Sequence, residues 1–313
     1  MSHQTNNTTV SHLTSSLSLQ LGVMLVMGVA VVGCSKPKPT ESSHPSYDIV
    51  KVDDANTNVG SYQVPQNTAM QNEPNYQQIL YGQRLLDDTK RLLPNNVGAD
   101  MNCNSCHIAH GKVPLGDPYI NSFNAYPSYN PRAAKEVTLT ERINGCFRRS
   151  MNGKPLPSQS AEMKAMLAYM QWLSKTVPAD QKVKITNMGK INKNLKPNPE
   201  RGAEIYQAQC ASCHGDNGEG KKDNQGHIAF PPLWGDKSFN IGAGMARTYT
   251  AAAFVKYNMP MSTQTKGLWG HGGVLTDQDA IDVAEYFSHQ PRPDFPDKVN
   301  DWPKGGKPKD ARY

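Results

Sequence analysis

Two pentapeptides carry the plainest chemistry in this chain: Cys103-Asn-Ser-Cys106-His107 and Cys210-Ala-Ser-Cys213-His214. C-x-x-C-H is the pattern that attaches a c-type haem, the two thiols adding to the vinyl groups and the adjacent histidine binding iron. Two copies predict two covalently attached c-type haems. Cys103, Cys106, Cys210 and Cys213 are the attachment residues, and His107 and His214 the proximal ligands. The same cysteines read as disulfides or a zinc site are the bland alternative. Two copies, each on a fitting helix–loop–helix background, speak against it. A porphyrin also supplies apolar surface that short domains lack.

Each iron needs a sixth ligand or an open site. In the second half "AAAFVKYNMPMS" offers Met259, 45 residues after His214 (259 − 214), with Met261 as competitor. A thioether before proline suits an electron-transfer haem and raises its potential. The first half is ambiguous. Met151 follows His107 by 44 residues (151 − 107) and Cys146 by 39 (146 − 107), so spacing alone selects Met151. Chemistry selects Cys146, since a thiolate is a strong donor to ferric iron and neighbouring arginines favour its ionised form. Met163, Met166 and Met170 fit better as core residues of a closing helix.

Cys146 sits in "RINGCFRRSMNG", on a helix that Thr138 or Thr140 should cap and that should run to about Ser150. Arg142, Cys146 and Ser150 fall at i, i+4 and i+8 of that helix, with Arg149 at i+7, so they share a face. Gly145 leaves room for a flat ring to lie close to the backbone. Beside a haem, such a face reads as a site for a small anion. Without one it would be a solvated basic helix with a single buried thiol.

The elements that must position these groups recur in both halves. "QQILYGQRLLDDTKRLL" and "ERGAEIYQAQ" read as helices preceding the two pentapeptides. Each half closes with an amphipathic helix. One is "SAEMKAMLAYMQWLS", capped by Ser160, with Met163, Met166, Leu167, Met170 and Leu173 at helical spacing. The other is "TDQDAIDVAEYFSHQ", capped by Thr276 with Asp279 in its first turn. Strand patterns are scarce. The expected fold is all-α: two class I cytochrome c-like domains, each with a covalent haem, joined by a long linker.

The 313 residues and net charge of +6 allow two modest domains plus tails and favour anionic partners. No basic stripe interleaved with aromatics points to nucleic acid. Residues 1–33 hold no Asp, Glu, Lys or Arg, and their short apolar run reads as a signal-peptide h-region. Val31-Val32-Gly33-Cys34 resembles a lipobox, so Cys34 is the expected lipidation site. Residues 34–74, rich in Pro, Ser, Asn and Gln, read as a lipid-anchored flexible tether. Residues 75–175 then form the N-terminal cytochrome domain, 176–199 a linker, 200–290 the C-terminal domain and 291–313 a tail wrapped on the surface. The expected location is the periplasmic face of a bacterial membrane.

The segments CNSCH, "RINGCFRRSMNG", CASCH, "FPPLWG", "GAGMARTYTAAAF" and the Asn-Met-Pro turn resemble the dihaem thiosulfate dehydrogenases, some of which work mainly as tetrathionate reductases. The resemblance covers roughly residues 75–290. It implies His107/Cys146 ligation of the first haem, and Arg132, Arg142 and Ser150 as substrate-site residues. His214/Met259 would hold the second haem, the electron exit. Where some relatives carry a lysine before this methionine, this chain has Asn258. Thiosulfate and tetrathionate are the implied substrates. The implied electron partner is a small periplasmic cytochrome or a quinol-linked membrane protein. Two rivals remain at this stage: a non-catalytic dihaem carrier ligated by Met151 and Met259, and a dihaem peroxidase, for which the spare histidines show no arrangement.

Overall fold

The computed structural model describes residues 46–261 and 273–313. The expected signal segment and the expected lipidation site Cys34 lie outside the described residues. The chain from residue 46 onward forms one body. Its elements are, in order, β1 (Ser46–Lys51), β2 (Asn58–Gln63), a 3₁₀ helix (Asn67–Asn72), α1 (Tyr76–Asp87), α2 (Thr89–Leu92), a 3₁₀ turn at Cys103–Ser105 and α3 (Ile108–Gly111). Then come β3 (Ser128–Asn130), β4 (Lys135–Val137), α4 (Leu139–Arg148), α5 (Ala161–Leu173) and β5 (Gln181–Val183). The second half holds α6 (Pro199–Gln209), α7 (Ala211–His214), β6 (Lys221–Lys222), β7 (Ile228–Phe230), α8 (Thr248–Asn258) and α9 (Asp277–Ser288), followed by a 3₁₀ helix at Pro296–Asn300.

The halves repeat one design. The helix before each pentapeptide crosses the closing helix of its own half: α1 against α5, α6 against α9. A glycine sits at each crossing. A β-carbon on Gly82 would lie 2.0 Å from the Ala165 carbonyl oxygen, and one on Gly202 would lie 2.0 Å from that of Asp282. In each case the β-carbon of a tyrosine, Tyr169 or Tyr286, is the next neighbour at 3.0 Å. Alanine is the better helix former by about 1 kcal/mol, but here it forces the helices apart. Gly82→Ala and Gly202→Ala are each expected to destabilise the haem-loaded protein by about 1–3 kcal/mol, read from urea unfolding. An unchanged or raised midpoint would show that the crossings are looser than this packing.

The helix starts follow the sequence signals. Ser160 accepts from the Met163 N–H at the start of α5, and Thr276 with Asp279 forms a capping box at α9. Met163, Met166, Met170 and Leu173 are buried, as are Ile281, Ala284 and Phe287. One continuous core joins buried residues of both halves.

Four features correct the expected organisation. The fold is mainly helical but carries three small sheets, so it is not all-α. The segment expected to be a flexible tether is structured from residue 46. β1 pairs antiparallel with β2, and Ile49, Val50, Tyr62 and Met70 are buried. The long linker is also built in: β5 pairs with β1, and Thr186 and Asn187 accept from the Leu115 and Asp117 N–H groups at 2.7 and 2.9 Å. Few large apolar residues suffice here, because backbone pairing and three or four buried side chains fix the strands. The helix before the first pentapeptide is broken at Asp88, between α1 and α2. Among the described residues no helix is long and apolar enough to cross a membrane.

Candidate functional site

Each pentapeptide places its histidine in a defined tautomer. His107 donates from Nδ1 to the Asp117 carbonyl and stacks on Tyr119 at 4.3 Å. His214 donates from Nδ1 to the Pro231 carbonyl at 2.8 Å. In both, Nδ1 is taken and Nε2 remains as the nitrogen available to iron, the His107 ring also meeting the Cys146 thiol. Burial holds the Cys103, Cys106 and Cys210 thiols up at about 12. None of the four attachment thiols is in a disulfide, and among the described residues no group of three or more His, Cys, Asp and Glu is placed to hold a metal ion.

Cys146 faces His107. The thiol hydrogen-bonds the imidazole and accepts from Arg142 Nη1 at 2.7 Å. Burial alone would push this thiol up. The Arg142 charge and the contacts with Arg142 and His107 outweigh it and bring the pKa down to about 7. The same interaction raises Arg142, the sulfur charge being the largest cause. His107 is raised as well, burial being outweighed by Asp117 and Cys146. Arg142 is solvent-exposed and Cys146 half-buried, so the pair lines an open face. A β-carbon on Gly145 would meet only Arg149 Nη1, at 3.7 Å, which leaves the space the sequence predicts.

Helix α4 explains this arrangement. Thr138 caps it, accepting from the Glu141 N–H in a capping box. It ends at Arg148, two residues short of the expected Ser150. The chain then folds back, Met151 N–H donating to the Cys146 carbonyl at 2.9 Å and Gly153 N–H to that of Phe147 at 2.8 Å. This reversal sends Met151 into the core, where it is 3% exposed. Ser150 stands just beyond the helix, half-buried, and its hydroxyl makes no hydrogen bond among the described residues. Arg142, Cys146 and Ser150 are thus carried by one helix and its terminal turn. Arg132 comes from elsewhere, the β3–β4 turn, and is engaged by the C-terminal segment.

In the second half Met259 follows the last residue of α8 and packs half-buried against the core, while Met261 is 45% exposed. Asn258 is fully buried and donates to the Leu115 carbonyl at 2.9 Å, tying this turn to the first half. His110 pairs with Asp87 at 2.8 Å and is a local structural contact.

Two residues escaped sequence reasoning. Asn240 donates to the Arg148 carbonyl at 2.8 Å and to Asn152 at 3.1 Å, while its own N–H reaches the Arg149 carbonyl at 3.2 Å. It thereby closes the end of α4 from the second half. Asp301 binds Arg132 and Arg149. Neither lies in a motif, so no sequence signal marks them.

The residues fit two covalently held haems. Each half pairs two thiols with a histidine whose Nδ1 is satisfied, and sets a sulfur-bearing side chain, Cys146 or Met259, along a helix or just after one. Fold and site together define a two-domain c-type cytochrome with two covalent c-type haems. Residues 95–179 match the family described as SoxA/TsdA, cytochrome c domain, and residues 199–290 match cytochrome c. Thiosulfate dehydrogenase of Psychrobacter arcticus is 45% identical over 74% of this chain and 68% of its own length. The Allochromatium vinosum enzyme of the same name is 38% identical over 71% of this chain and 81% of its own. A solved structure, thiosulfate dehydrogenase (TsdBA) from Marichromatium purpuratum in its as-isolated form, superposes with a TM-score of 0.66 at 33% identity. It covers 75% of this chain, which spans half of that longer one. The chain belongs to the thiosulfate dehydrogenase family.

Proposed function

We propose that this protein oxidises two thiosulfate ions to tetrathionate, 2 S₂O₃²⁻ → S₄O₆²⁻ + 2 e⁻, and reduces tetrathionate when electrons are supplied. The first domain carries the reaction, with His107 and Cys146 as the iron ligands. The second, with His214 and Met259, exchanges electrons with a small periplasmic cytochrome or a quinol-linked membrane partner. Lipidation at Cys34 would hold the protein at the periplasmic face of the membrane.

The observation that carries this reading is the sulfur of Cys146 lying between His107 and the Arg142 guanidinium. The obstacle to the reaction is charge. Two dianions about 4 Å apart repel by roughly 4 kcal/mol in water and about 16 at an effective dielectric of 20. Arg142 and Arg132 offer guanidinium groups suited to oxyanions, and the unengaged Ser150 hydroxyl can donate to a sulfonate oxygen.

The Cys146 thiolate and the terminal sulfur of one thiosulfate would form a sulfur–sulfur bond, giving Cys–S–S–SO₃⁻ and releasing two electrons. The haems supply two one-electron acceptors for them. The second thiosulfate attacks the adduct, tetrathionate leaves and the thiolate returns, so atoms and charge balance. Arg142 stabilises the thiolate in both steps. The test is initial-rate oxidation of thiosulfate with ferricyanide as acceptor, together with product analysis. One tetrathionate per two ferricyanide reduced is expected. No thiosulfate-dependent reduction would leave a dihaem electron carrier instead.

A further inference from the structure

The C-terminal segment makes an unusual claim on Arg132. Asp301 Oδ2 accepts from Arg132 Nε at 2.8 Å and pairs with its Nη2 at 2.7 Å. The other carboxylate oxygen accepts from Arg149 Nη2 at 2.7 Å. Tyr313 joins both partners, its hydroxyl accepting from Arg132 Nη2 and donating to Asp301. Arg132 stacks on Trp302 and Arg149 on Phe295, each at 4.6 Å. The carboxylate is sealed, with a side-chain exposure of 4%, while the Arg132 and Arg149 side chains remain 19% and 23% exposed.

The charges do not balance. One carboxylate, Asp301, serves two guanidinium groups, while the nearby Arg247 has Asp310 as its own counter-charge. Burying like charges side by side is costly unless something offsets them. The hydrogen bonds that Asp301 and Tyr313 make use only Nε and Nη2 of Arg132 and only Nη2 of Arg149. The Nη1 group of each makes no hydrogen bond among the described residues, and that of Arg149 borders Gly145, the neighbour of Cys146. Two guanidinium groups held on one carboxylate, each with an unspent Nη1 and one of them beside the helix turn that carries Cys146, suit an oxyanion.

We propose that Asp301 is a positioning residue of the substrate site, holding Arg132 and Arg149 together so that their free Nη1 groups receive the sulfonate of a thiosulfate dianion. This rests on the proposed function above. It adds Arg149 to the substrate-binding groups and assigns the C-terminal segment a part in the site.

Asp301→Asn separates positioning from simple charge. By charge alone, deleting a carboxylate makes the site more positive and tightens dianion binding. By positioning, the arginines lose alignment and binding weakens. In the full-length, haem-loaded protein, Asp301→Asn is expected to raise KM for thiosulfate and Ki for sulfate, an inert dianion, by about tenfold each. The turnover number, haem content and haem spectra should change little. Tyr313→Phe removes only the phenol's bonds and is expected to raise both constants about threefold. It also serves if Asp301→Asn does not accumulate. KM and Ki that stay the same or fall, in a protein with wild-type turnover, overturn the inference alone. If the wild-type protein forms no tetrathionate, the proposed function fails and this inference fails with it.

Discussion

Cys146→Gly is expected to lower thiosulfate oxidation on the order of a thousandfold or more, the scale of loss when a nucleophile is removed, while both haems stay attached. Attachment depends on Cys103, Cys106, Cys210 and Cys213, none of which this change touches. The fold should survive. Cys146 is half-buried, so its loss opens little cavity in the core. A glycine there costs the helix about 1 kcal/mol or less relative to cysteine. Ferricyanide-linked rates and the haem content of the purified variant provide the measurement. Retention of more than about a tenth of wild-type activity is incompatible with the covalent route. Cys146→Ser keeps the side-chain volume and tests whether sulfur itself is required.

Arg142→Ala is expected to lower kcat/KM for thiosulfate by roughly 30- to 100-fold at pH 7, the worth of a lost hydrogen bond between charged groups. Two effects act together. The dianion loses a cationic partner, and the thiol loses the charge that brings its pKa down to about 7. Without Arg142, burial pushes that pKa up, so less thiolate is present at pH 7. Raising the pH restores thiolate but not the lost guanidinium. The deficit should therefore shrink above pH 8 without closing. Arg142→Lys keeps a charge without the forked geometry and should fall between the two. A kcat/KM matching wild type across this range would remove Arg142 from the site.

The haem attachments, the closing helices and the face of α4 were legible because local spacing encodes them. C-x-x-C-H is a contiguous motif. Ser160 and Thr276 each stand directly before an apolar periodic run, and Arg142 and Cys146 are one helical turn apart. The strands were not legible. β1 is short, buries the adjacent Ile49 and Val50 instead of alternating, and gains its partner β5 from more than a hundred residues away. The polar composition of residues 34–74 hides the few side chains that matter. The end of α4 was missed because a local reversal closed by Gly153 and a tertiary bond from Asn240 decide it. Asp301 stands in a tail of Pro, Lys and Gly, and only the folded chain shows that it meets Arg132, 169 residues away.

The continuous interior has a consequence for how electrons move. Two cytochrome units on a loose string would meet by diffusion, and their exchange rate would slow in a thicker solvent. Here Asp100 bridges to Lys222 at 2.9 Å, Asn258 grips the Leu115 carbonyl, and shared apolar packing runs beneath both. The gap between the redox centres is then set at folding. Transfer across it should be indifferent to glycerol, and only the encounter with the outside partner should feel viscosity.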